Sequence, residues 1–234
     1  MEALKEALSR PEFYLPPAFD LCAVFFCSLT GALAALRRGY DWVGLFTLAF
    51  LTGLGGALMR DGLFLQDGPP ALTRDGRYIL AVLAGCVAGG WWGGWIERFP
   101  RAVAGLDAVG LGAYSVVGVS KSLAAGLSIP AAILVGVINA SGGGLLRDVI
   151  VREEPLMMKP GQFYALASLL GCVLFVALAR GADLPVSGAA LISSGAVFVL
   201  RMLAILFNWR TGAVQQWQST ANPPNGAVPP STQN

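Results

Sequence analysis

Seven apolar stretches, at about 18–36, 42–66, 77–96, 104–125, 129–152, 162–180 and 185–207, each hold the roughly 20 residues a helix needs to cross a hydrocarbon core. Short connectors with turn chemistry separate them, such as "RRGYD" at 37–41, "DGPPALTRDG" at 67–76 and "ERFPR" at 97–101. The sequence therefore predicts an all-α membrane protein with seven transmembrane helices. Only 13% of its residues are charged, against about 25% in soluble domains. The first stretch could be mistaken for a signal peptide, but Glu2, Glu6 and Glu12 precede it and it has a copy deeper in the chain, so it is read as a mature span.

That copy reorganises the reading. At a constant offset of 87, Asp20 falls on Asp107, Gly31 on Gly118, Gly55 and Gly56 on Gly142 and Gly143, Arg60 on Arg147, and Asp61 on Asp148. After a one-residue slip Tyr78 falls on Tyr164, and "LAGCV" at 83–87 on "LLGCV" at 169–173. The unit repeated has three spans. Because three is odd, the second copy enters the bilayer from the opposite face, giving two inverted three-helix repeats plus a seventh helix. Such pairs are typical of transport proteins, whose path lies at the repeat interface. The expected organisation is an N-terminal segment at 1–17, repeats at 18–96 and 104–180, a seventh helix at 185–207, and a disordered tail at 211–234.

Each repeat carries a glycine cluster in its second span: Gly53, Gly55 and Gly56, then Gly142, Gly143 and Gly144. Glycine costs about 0.8–1 kcal/mol against alanine in a helix interior. Three together invite a kink or an unwound turn, whose freed carbonyls near Gly55 and Gly142 could hold a monovalent cation. A single cluster would be read as small residues letting helices pack closely. Two clusters at matching positions point instead to a transport path.

Arg60 and Arg147 follow their clusters by four residues, about 6 Å further along the helix. An intramembrane arginine needs a partner. Topology supplies one, since the first span begins with Asp20 on the face where the second ends with Arg60, and Asp107 and Arg147 repeat the arrangement. Two ion pairs are expected, one toward each face, with Asp61 and Asp148 either completing them or capping loosened backbone. The alternative places each Arg–Asp pair at a helix end in headgroup water. The position equivalent to Lys121 in the first copy is Ala34, so this charge breaks the symmetry; it is read as a gate or pore charge, or else as a lysine snorkelling to the interface.

Several classes are excluded or set aside. Histidine is absent, the four cysteines form no C-x-x-C pair, and no basic block is present, which argues against an enzyme, a cofactor and a nucleic-acid partner. A membrane scaffold and a secondary carrier for a small solute such as glycine stay as rivals. Lys and Arg outside the spans number five on the N-terminal side (Lys5, Arg10, Arg74, Arg77, Arg180) and six on the other (Arg37, Arg38, Arg98, Arg101, Lys159, Arg210), a bias toward an outside N-terminus and a cytoplasmic C-terminus.

"GLGGALMRD", "SGGGLLRD" and the lysine of "SKSL" resemble the bacterial relatives of the trimeric intracellular cation (TRIC) channels, a family also described as a glycine transporter domain. The resemblance covers about residues 18–207. It implies a homotrimer in the cell (inner) membrane, each protomer holding its own pore for K+ or Na+, lined by kinked second and fifth helices at Gly55, Gly56, Gly142 and Gly143, with Lys121 facing the pore. Serine stands where the animal members' lysine–glutamate–valine motif has glutamate.

Overall fold

A computed structural model describes residues 13–159, 163–181 and 184–209. The expected tail at 211–234 and residues 1–12 of the N-terminal segment lie outside the described residues. Seven helices are long and apolar enough to span a membrane: α1 (Pro17–Arg37), α2 (Trp42–Met59), α3 (Arg77–Ile96), α4 (Pro100–Ala124), α5 (Ile129–Ile150), α6 (Tyr164–Gly181) and α7 (Val186–Leu206). Among the described residues there is no strand. With the span of α2 counted through Leu65, the expected spans match to within about four residues, the largest difference being α4, which starts at Pro100, a residue suited to the first turn of a helix.

Helix α2 begins at Asp41, whose side chain accepts from the Gly44 amide. It continues past Met59 as a wider, π-helical turn over Arg60–Leu65, closed by Gln66 in a left-handed conformation (φ 49°). A single helical turn, Ala71–Arg74, interrupts the loop before α3.

The packing obeys the inverted duplication. Within the first repeat α1 packs on α2 and α3; within the second, α4 packs on α5 and α6. The halves join through α1 against α4 and α2 against α5, and α7 lies on α4 and α6. Successive spans run in opposite directions, so the starts of α1 and α3 share one face with the ends of α2 and α4. The starts of α4 and α6 share the other face with the ends of α1, α5 and α7. These are called the first and second faces.

The expectation of an unwound turn at the glycines is corrected. Helix α2 is α-helical through Gly53, Gly55 and Gly56, and α5 through Gly142, Gly143 and Gly144. All six are buried; Gly55, Gly56, Gly142 and Gly143 form the crossing of the two helices, while Gly53 packs against Ser28 and Val24 of α1 and Gly144 against Tyr164. A methyl group built on Gly56 would lie 2.0 Å from the Asn139 carbonyl oxygen, and one on Gly143 would lie 2.0 Å from the Thr52 carbonyl oxygen. Glycine here buys close backbone approach, the small-residue packing common between membrane helices. The irregular turn comes later, at Arg60–Leu65.

Candidate functional site

Two charged clusters lie at opposite ends of the paired repeats, and they are built alike. At the first face, Arg60 is fully buried where α2 passes into its wide turn. Its Nε donates to Asp61 Oδ1 at 2.7 Å, its Nη1 donates to Asn139 Oδ1 of α5 at 3.2 Å, and its Nη2 lies 3.9 Å from Asp20 Oδ2. At the second face, Arg147 donates from Nε to Asp148 Oδ1 at 2.9 Å, and from Nη1 to Asp107 Oδ1 at 3.2 Å and Thr30 Oγ1 of α1 at 3.3 Å. An arginine at membrane depth costs about 2.5–3.5 kcal/mol or more to insert, which is why each gathers carboxylates and amide or hydroxyl oxygens from other helices.

Asp61 and Asp148 both complete the pairs and cap backbone. In each, Oδ1 takes the arginine while Oδ2 accepts an amide from the following loop, Ala71 N–H at 3.1 Å and Leu156 N–H at 3.0 Å. Their main-chain oxygens accept from Gln66 and Glu153, which close the helix ends. One dipeptide thus holds the interhelical loop to the buried cation, twice.

The expected pairs Asp20–Arg60 and Asp107–Arg147 therefore form, one toward each face. Lys121 joins the first: its Nζ donates to Asp20 Oδ2 at 2.5 Å, and the same oxygen accepts from Tyr78 Oη at 2.7 Å. Lys121 also lies over the Tyr78 ring, 5.9 Å from its centroid. At the second face, position 34 is alanine, and the cation over the equivalent tyrosine comes from α7: Arg201 stands 4.9 Å from the Tyr164 ring centroid and is buried.

A cavity of about 450 Å³ opens beside the first cluster. Its lining includes Asp20, Asp61, Arg74, Asp75, Tyr78 and Lys121. Asp75, in the loop, has its carboxyl held below the ordinary carboxylate range by the side-chain hydrogen bond from Arg77. From Arg60, paired with the lining residues Asp20 and Asp61, a series of hydrogen bonds leads to α2 beside its crossing with α5. Arg60 reaches Asn139, Asn139 Nδ2 donates to the Tyr114 carbonyl at 2.7 Å, and the Tyr114 hydroxyl donates to the Gly53 carbonyl. A carbonyl within the glycine cluster is thus taken by a tyrosine. Among the described residues no cluster of carboxylates and thiols suits a multivalent metal.

The family model described as Glycine transporter matches residues 17–92 and again 104–180, one match for each repeat. The chain belongs to that family. Members named UPF0126 membrane proteins include one from Deinococcus radiodurans, 32% identical over 153 residues, which are 65% of this chain and 71% of that protein. Another, from Vibrio cholerae, is 33% identical over 181 residues, 75% of this chain and 72% of its own. Among solved structures, the TRIC trimeric intracellular cation channel orthologue from Rhodobacter sphaeroides matches with a TM-score of 0.75 at 32% identity, covering 81% of this chain and 96% of that one. A second TRIC cation channel structure matches with a TM-score of 0.73 at 27% identity, covering 86% and 97%. This member of the glycine transporter family is a multi-pass membrane protein with the TRIC fold.

Within this family member, sequence reasoning missed Asn139, Tyr114, Thr30 and Arg201 as parts of the clusters, and it used Tyr78 and Tyr164 only as markers of the repeat. A lone arginine inside the seventh apolar run and an asparagine inside the fifth were signals in plain view, since polar groups at membrane depth need a reason.

Proposed function

We propose that this chain is a monovalent cation channel, passing K+ and Na+ down their gradients through a path between the inverted halves of each protomer of a homotrimer in the cell (inner) membrane. The observation that carries the reading is the cavity at the first face, which is lined by Asp20 and Lys121, whose charged cluster is hydrogen-bonded through Arg60, Asn139 and Tyr114 toward the crossing where the halves meet. Likeness to solved TRIC cation channels supports it.

The conformation described is closed at that crossing, because Gly56 and Gly143 lie against facing backbone. Opening separates α2 from α5, and the faces bearing Gly53, Gly55, Gly56 and Gly142–Gly144 then line the path. Lys121, Arg60 and Asp20 at one end, with Arg147 and Asp107 at the other, serve as gate charges and not as ion ligands, apart from the carboxylates. Each unit charge moved through 100 mV couples about 2.3 kcal/mol to the voltage. The N-terminus is assigned to the outside and the C-terminus to the cytoplasm.

Recordings from purified protein in planar bilayers test this. Unitary current steps in KCl are expected. Saturable counterflow of a small solute such as glycine, with no unitary steps, would replace the channel by a carrier.

A further inference from the structure

Asp20 carries an uneven load. Its Oδ2 accepts from both Lys121 Nζ and Tyr78 Oη, while its Oδ1 is buried with no hydrogen-bond partner among the described residues. Arg60 Nη2, 3.9 Å from Oδ2, is also without one. A buried carboxylate oxygen left unsatisfied costs about 1–3 kcal/mol or more, so this arrangement is primed for a ligand that uses both oxygens. The two cations beside Asp20, Arg60 and Lys121, differ in freedom. Arg60 is fixed by Asp61 and Asn139. Among the described residues Lys121 makes no second hydrogen bond; its side chain is 31% exposed, and it lines the cavity on a flexible four-carbon stem.

We infer that Asp20 is a cation-binding carboxylate at the inner end of the cavity and that Lys121 is its tethered competitor. A monovalent cation arriving through the cavity displaces the ammonium and takes Oδ1 and Oδ2, with the Tyr78 hydroxyl oxygen beside them; Lys121 swings into the cavity. The exchange is one charge for one, so the net charge of the cluster stays constant and the buried Arg60 keeps a counter-ion throughout. At the second face Asp107 Oδ2 is likewise buried and unpartnered among the described residues, but Ala34 stands at the position related to Lys121 and the cation on Asp107 is Arg147, anchored also by Asp148 and Thr30, so no mobile competitor is present there. In naming the arriving ion as the permeant one, the inference rests on the channel reading.

Binding of radioactive Rb+ to the purified protein tests the site without any current. Lys121→Met is expected to tighten Rb+ binding by about tenfold or more, the effect of removing one competing charge at contact distance. Adding Asp20→Asn to that variant is expected to abolish the gain. Equal Rb+ affinity with and without Lys121, or a gain that survives Asp20→Asn, overturns the inference. Should either variant fail to fold, the wild type answers by itself. Labelling of Lys121 by an amine-acylating reagent, read by mass spectrometry, is expected to rise with KCl and not with N-methylglucamine chloride at equal ionic strength; identical labelling in the two salts overturns the exchange. The two readings fail separately. Rb+ binding that behaves as described, in a protein giving no unitary currents, sinks the channel and leaves the site; unitary currents with unchanged Rb+ binding do the reverse.

Discussion

Replacing Gly143 by alanine puts a single methyl group into the crossing of α2 and α5, and its consequence follows from distances. The new carbon would sit 2.0 Å from the Thr52 carbonyl oxygen and 3.1 Å from the carbonyl carbon, both backbone atoms inside a helix that cannot rotate away. A carbon–oxygen contact needs roughly 3.4 Å, so the helices must part by more than 1 Å. Overpacking of this kind costs about 1–3 kcal/mol. Alanine returns up to about 1 kcal/mol through better helix propensity. The net expectation is destabilisation by about 1–2 kcal/mol, together with loosening of the neighbouring Gly56–Asn139 contact. Gly195→Ala on α7 is the control, because a methyl there meets nothing within 4 Å and only the propensity gain applies. Thermal unfolding of both variants in the same detergent is the assay: Gly143→Ala should melt several degrees below wild type, and Gly195→Ala at or above it. If Gly143→Ala melts with Gly195→Ala, the crossing is not tightly packed, and the glycines belong to a yielding segment after all.

Three other outcomes follow from the clusters. Asp20→Asn leaves Arg60 and Lys121 without their shared carboxylate, and breaking a buried pair costs about 3–5 kcal/mol, so this variant should lose far more thermal stability than Asp75→Asn in the exposed loop. Asp61→Ala frees the Ala71 amide, and Asp148→Ala the Leu156 amide; hydrogen–deuterium exchange should quicken in the matching loop of each variant and not in the other. Tyr114→Phe deletes the hydroxyl held by the Gly53 carbonyl, a bond worth about 0.5–1.5 kcal/mol, and should raise the open fraction in bilayer recordings by a few-fold up to about tenfold.

The spans, the inverted duplication and the two Arg–Asp pairs were legible because hydrocarbon imposes simple constraints on them: length, sidedness and the need to neutralise an arginine. Asp20 and Arg60 could be matched with no knowledge of side-chain geometry, since topology alone put them on one face. The helix path at the glycines was not legible. Three glycines lower helix stability by a few kcal/mol, but a broken turn in a dry membrane interior leaves several backbone groups each unsatisfied at comparable cost. The same pattern therefore serves loosening or tight packing, and only the distances from Gly56 to Asn139 and from Gly143 to Thr52 decide between them. Tyr114, Asn139 and Thr30 escaped notice for a different reason. Their roles arise where helices distant in sequence converge, and a single polar residue in an apolar run does not say which neighbour it meets.

The tyrosine of each repeat is covered by a cation of different origin, Lys121 from α4 at one end and Arg201 from α7 at the other. A conduit obeying its internal two-fold without exception would read the same from either side of the bilayer, and its current would reverse symmetrically with the sign of the field. Rectification is available only to a path that departs from that symmetry. In the channel reading Lys121 and Arg201 are one such departure, beside Asn139 at one cluster and Thr30 at the other, so exchanging the two cations should change the polarity of any one-way preference.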